Sequence, residues 1–139
     1  MSQEVLQQIC LEYQLSALYA FGSRALEAVA FLESGASSLP LRESDLDIGV
    51  LPSRGRHLSV KEKVTLSAIL EDLFGVDRVD LINLSEADPF LAANIIRGER
   101  LYALNEMASD EYDLYVLRRA GDLIPFENER LALILESAA

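Results

Sequence analysis

Apolar positions recur along the chain in two rhythms, one helical and one of period two, and together they predict nine elements. Val5, Leu6, Ile9, Cys10 and Tyr13 fall at helical spacing behind Ser2, a residue suited to cap that helix. The apolar run Ala17-Leu18-Tyr19-Ala20-Phe21 ends in Gly22-Ser23, as a buried strand does on entering a tight turn. Helix then reads from Arg24 to Glu33 on Leu26, Val29, Ala30 and Phe31, and a Ser/Gly/Pro-rich loop follows from Ser34 to Pro40. Leu46, Ile48 and Val50 alternate with Asp45, Asp47 and Gly49, the pattern of a strand with one polar face. Ser59 and Glu62 form a capping box. The helix they start carries Val64, Leu66, Ile69, Leu70 and Leu73 and stops at Gly75. A second alternating strand runs from Arg78 to Leu84. Helix follows from Ser85 to Gly98 with Pro89 in its first turn, then a strand from Arg100 to Leu104. From Ser109 the chain reads as helix, broken over Gly121 to Pro125. Such alternation predicts an α/β (α+β) fold with helices packed on a sheet, and leaves strand order and direction open.

The length of 139 residues predicts a single domain with one core. Twelve Lys+Arg against 23 Asp+Glu give a net charge of −11, which argues against direct nucleic-acid binding and against a polybasic membrane contact. Cys10 is the only cysteine, so no disulfide forms within the chain, and its place on the helical stripe makes it a packing residue. His57 is the only histidine, which excludes a His-rich metal site. No apolar run approaches the roughly 18 residues of a membrane span, and no signal peptide opens the chain. The expectation is a soluble cytoplasmic protein.

Three short features carry chemistry. Asp45 and Asp47 point to one face of a strand, where two carboxylates repel unless a cation sits between them. Hard oxygen donors of this kind suit Mg²⁺, with water and substrate phosphate completing its shell. A pair of solvated carboxylates at a strand end is the plainer reading. Gly22 lets the backbone come close, and the N–H groups beyond it open a helix toward an anion, with the Ser23 hydroxyl as a further donor. Equally, glycine can serve the turn and serine cap the helix. Asp80 stands in the apolar run Val79-Asp80-Leu81-Ile82, where either a cation such as Arg78 answers it or it shares a metal with Asp45 and Asp47.

The three features in this order, Phe21-Gly22-Ser23-Arg24-Ala25, Ser44-Asp45-Leu46-Asp47-Ile48-Gly49-Val50 and Val79-Asp80-Leu81, resemble the nucleotidyltransferases of the DNA polymerase β superfamily. More closely the chain resembles the minimal nucleotidyltransferases (MNT), the antitoxin half of HEPN–MNT toxin–antitoxin pairs. The segment Ile96-Arg97-Gly98-Glu99-Arg100-Leu101-Tyr102 fits the end of that core. The resemblance implies a small mixed sheet flanked by helices over about residues 1–104 and a helical tail over about 105–139. It also implies that Gly22 and Ser23, with Arg24, bind the nucleotide, and that the catalytic and metal-ligating set is Asp45, Asp47 and Asp80. Two Mg²⁺ ions and ATP as substrate follow from the same likeness, as does transfer of AMP to a tyrosine hydroxyl of a partner HEPN toxin. Between Ser23 and Asp45 lie 21 residues, more than is usual in that family, and the surplus falls near Leu32 to Arg42.

Several features stay open at this level. Arg24 either meets the nucleotide or stabilises the loop. Arg54, Arg56, His57, Lys61 and Lys63 form a basic segment that answers an anion or is simply solvated. The apolar tail Leu131-Ala132-Leu133-Ile134-Leu135 packs back on the core or forms a homo- or hetero-oligomeric interface. Two other functions compete with protein adenylylation. One is an antitoxin that only masks its toxin, the other a nucleotidyltransferase acting on a small molecule.

Overall fold

The computed structural model describes residues 2–36 and 38–138, so Ser37 of the predicted loop lies outside the described residues. The elements in chain order are α1 (Ser2–Glu12), β1 (Leu15–Phe21), α2 (Ala25–Ser34), β2 (Leu46–Pro52) and α3 (Val60–Phe74). They continue with β3 (Val79–Asn83), α4 (Pro89–Ile96), β4 (Glu99–Ala103) and α5 (Glu106–Ala138). Single 3₁₀ turns at Gly22–Arg24 and Leu84–Glu86 follow β1 and β3.

The strands form one mixed sheet in the order β3-β2-β1-β4, with β1 antiparallel to β2 and β4, and β2 parallel to β3. Period-two alternation gives each face its own core. Leu18, Ala20, Leu46, Ile48, Val50 and Leu81 pack under α1, α2 and α3, against Leu6, Phe31, Leu66 and Phe74. Ala17, Tyr19 and Phe21 pack on the other face against Ile95 of α4 and Val116 and Ala120 of α5. Cys10 is fully buried in the first cluster, and burial pushes its thiol up to about 12, far from thiolate chemistry. Among the described residues no helix is long and apolar enough to cross a membrane.

Local signals explain most boundaries. Ser59 Oγ accepts the Glu62 N–H at 3.1 Å and Glu62 Oε1 accepts the Ser59 N–H at 3.1 Å, so the predicted capping box starts α3. Arg56 also bonds Glu62, and this bond first, then those from Ser59, holds the glutamate down at about 2. Arg56 therefore serves the helix start. At Gly98 a Cβ would lie 2.4 Å from the Ala20 carbonyl oxygen, so only glycine lets the chain enter β4 this close to β1.

Three expectations are corrected. The helix predicted from Ser85 to Gly98 starts at Pro89, because Asp88 accepts the Phe90 and Leu91 N–H groups at 2.9 and 3.0 Å and fixes the start there. The break at Gly121 to Pro125 does not occur, since α5 runs through Pro125 without interruption. Pro125 removes one N–H, and the carbonyl its ring meets belongs to Gly121, a residue with the backbone freedom to tilt it aside. Val5 and Val64, counted in the helical stripes, face outward at 47% and 66% exposure.

Candidate active site

The sheet register assembles the site. Phe21, the last residue of β1, stands opposite Asp47 of β2, and Asp47 stands opposite Asp80 of β3. The end of β1 and the starts of β2 and β3 therefore meet at one end of the sheet. Beyond Phe21 the chain turns at Gly22, whose φ of +74° is a left-handed conformation that other residues adopt only with strain. A Cβ there would lie 2.4 Å from Asp47 Oδ2, so glycine brings the turn directly onto that carboxylate. Ser23 is exposed within the following 3₁₀ turn.

The carboxylates are unequal. Asp47 is half-buried, and its acidity is weakened by burial first, then by the charges of Asp80 and Asp45. Asp80 is exposed and needs no structural partner. Asp45 lies one residue before β2, and Arg78 Nε sits 3.5 Å from its Oδ2, so Arg78 answers Asp45 and not Asp80. Among the described residues no three His, Cys, Asp or Glu side chains stand at metal-holding spacing. Sheet register sets Asp47 opposite Asp80, with Asp45 two residues before Asp47, and donors made only of carboxylate oxygens are the type a hard divalent cation takes.

Asp47 also carries a stability cost, which a substitution exposes. Because its folded-state acidity is weakened, the protein loses stability as pH rises through the aspartate range and the charge appears. Asp47→Asn is thus expected to raise the melting temperature of the metal-free protein near pH 7. The gain should vanish in acid, where wild-type Asp47 is protonated. A lower melting temperature at pH 7 would mean that Asp47 is a structural carboxylate.

Arg24 is bound into the loop. The side chain is buried, its Nε bonds Glu27 Oε2 at 3.0 Å, and Nη1 and Nη2 reach the Ser44 and Pro40 carbonyls at 3.2 and 2.5 Å. The guanidinium expected at the nucleotide is engaged on the loop. Sequence reasoning also missed the network behind the site. Tyr19 OH donates to Asp113, and Arg100 donates to Asp113 and Asp110, tying α5 to β1 and β4. Burial, then the Asp113 bond, pushes the Tyr19 hydroxyl pKa up, and its position inside an apolar run gave no sign of a polar partner. A cleft of about 370 Å³ lies further along β2 beside Leu51, Leu84, Tyr112 and Val116, away from the carboxylates, and the exposure of Gly22, Ser23 and Asp80 leaves their end of the sheet open.

A family model described as polymerase beta, nucleotidyltransferase matches residues 4–107. Three solved structures share the fold. A variant of the toxin–antitoxin MntA–HpeT aligns with TM-score 0.70 at 20% identity over 100% of both chains. A toxin–antitoxin with AMP-PNP aligns with TM-score 0.69 at 20% identity, again over 100% of both. The tri-AMPylated Shewanella oneidensis HEPN toxin in complex with MNT antitoxin aligns with TM-score 0.65 at 19% identity, over 99% of this chain and 97% of that one. No curated protein matches the sequence significantly.

Proposed function

The chain belongs to the polymerase beta nucleotidyltransferase family, and from that premise we propose that it moves AMP from ATP to a tyrosine hydroxyl of a HEPN toxin and so acts as its antitoxin. The observation that carries this reading is the row Phe21, Asp47, Asp80 with the Gly22 turn closed onto Asp47. In the proposed assignment the Gly22 and Ser23 turn holds the β- and γ-phosphates, and Asp45, Asp47 and Asp80 hold two Mg²⁺ ions. Bound there, Mg²⁺ supplies charge neutralisation for the triphosphate and for the leaving pyrophosphate. The acceptor oxygen forms a bond to the α-phosphorus, the bond to the bridging oxygen breaks, and pyrophosphate leaves. The hydroxyl proton passes to the Asp80 carboxylate, which is exposed and free of ion pairs among the described residues.

Donor and acceptor are supported by the structural neighbours, one holding an ATP analogue and one an AMPylated HEPN toxin. The open end of the sheet suits an acceptor as large as a protein. A second reading, masking without transfer, draws on α5, where Phe126, Leu133, Ile134 and Leu135 are exposed at 69%, 58%, 50% and 70%. Metal separates the two. ATP titrated into the protein should bind tightly in Mg²⁺ and weakly in EDTA, because a triphosphate and Asp45, Asp47 and Asp80 repel without cations. Equal affinity in both buffers would sink the proposed site.

A further inference from the structure

Resting on that reading, we propose that Arg24 is a positioning residue that fixes Asp45 against the Gly22-Ser23 turn by clamping the long segment between them. Sheet pairing sets Asp47 opposite Phe21, but Asp45 lies one residue before β2, at the end of a 21-residue excursion from Ser23 that does not by itself hold that residue in place. Arg24 closes it. Its backbone follows Ser23 directly, and its Nη1 holds the carbonyl of Ser44, the residue directly before Asp45, at 3.2 Å. Nη2 holds the Pro40 carbonyl at 2.5 Å, so one planar guanidinium fastens both ends of the stretch from Pro40 to Ser44. The clamp is itself held. Arg24 is 2% exposed, and Glu27 takes its Nε at 3.0 Å while also accepting from Arg42 Nη1 at 3.4 Å.

The other side of the segment is anchored independently. Leu39 is buried at 2% exposure, and its N–H bonds the Phe74 carbonyl at 2.8 Å. The residues between the anchors face outward, Leu41 at 95% exposure. A stretch so exposed is held by few bonds, the Arg42–Glu27 contact and the two carbonyls that Arg24 engages. Asp45 itself has one side-chain ion pair, with the 77% exposed Arg78, which is worth little against solvent. Its position is therefore set mainly through its backbone.

The test uses Arg24→Met, which keeps the packing and removes the donors, and Arg24→Lys, a point charge that does not bridge two carbonyls. The readouts are ATP affinity in Mg²⁺ and in EDTA, and the rate of tryptic cleavage after Arg42. Arg24→Met is expected to weaken Mg²⁺–ATP binding about tenfold or more, as misplacement of a ligating group does, with binding in EDTA unchanged. Cleavage after Arg42 should speed up by about tenfold as the segment opens locally. Arg24→Lys should restore neither. Glu27→Gln, which loosens the clamp from its outer side, should weaken Mg²⁺–ATP binding in the same direction and decides the matter if Arg24→Met does not fold. Wild-type cleavage and wild-type Mg²⁺–ATP affinity in Arg24→Met would overturn the proposal. So would an equal loss in Mg²⁺ and EDTA that Lys restores, since that marks a direct contact with phosphate. If wild-type protein binds ATP equally in both buffers, the site reading falls, and the cleavage rates alone still uphold or overturn the clamp.

Discussion

Asp80→Asn is expected to cut adenylyl transfer by about 10²–10⁴-fold, the scale of losing a positioned base. Mg²⁺–ATP affinity should move by less than about tenfold, or 1.4 kcal/mol. The split follows from geometry. Asp47 is half-buried near the start of the inner strand β2 beside Gly22, so its loss disturbs ground-state binding and chemistry together. Asp80 is on the neighbouring strand, exposed, and opposite Asp47 in register, so its work falls mainly in the transition state. Because Arg78 is turned to Asp45, Asp80→Asn breaks no ion pair, and the melting temperature should stay within about 2 °C of wild type. A lowered melting temperature with full transfer per folded molecule would remove Asp80 from the site.

Gly22→Ala should damage both stability and transfer. A left-handed conformation at φ +74° costs a residue with a Cβ about 1–2 kcal/mol, which lowers the melting temperature by about 2–8 °C in a domain of this size. The added methyl meets Asp47 Oδ2 at 2.4 Å, so the carboxylate must leave its place. A displacement of that kind should reduce transfer by about 10²-fold. Thermal melting and transfer measured on one sample check both parts. Unchanged transfer would mean that the Gly22 turn and Asp47 need not be this close.

Local chemistry was legible in the sequence wherever one short segment carried the whole signal. Ser59 with Glu62 started α3, and the alternation around Leu46, Ile48 and Val50 found β2 and its buried face. The nine elements and the mixed sheet of the polymerase β-like fold are those the residues and the family likeness pointed to. What the pattern could not give was adjacency. Phe21, Asp47 and Asp80 share a row only because β2 lies between β1 and β3, and strand order has no local signature. Arg24 was ambiguous for the same reason, since its partners lie 16 and 20 residues away in a segment without periodicity. Arg78, two residues before Asp80, suggested that pair, yet its side chain reaches across to Asp45. Pro125 misled in the other direction, because proline is a local breaker whose effect depends on the residue its ring meets, here Gly121.

The central claim is transfer to a partner protein, and labelled ATP tests it most directly. Wild-type protein, Mg²⁺ and α-labelled ATP should leave little label on this chain alone and much on a cognate HEPN protein once that is added. The Asp45→Ala, Asp47→Ala double variant should bind the same partner and transfer nothing measurable. Label confined to this chain, or no label on the partner while the double variant still neutralises it in cells, would contradict the account.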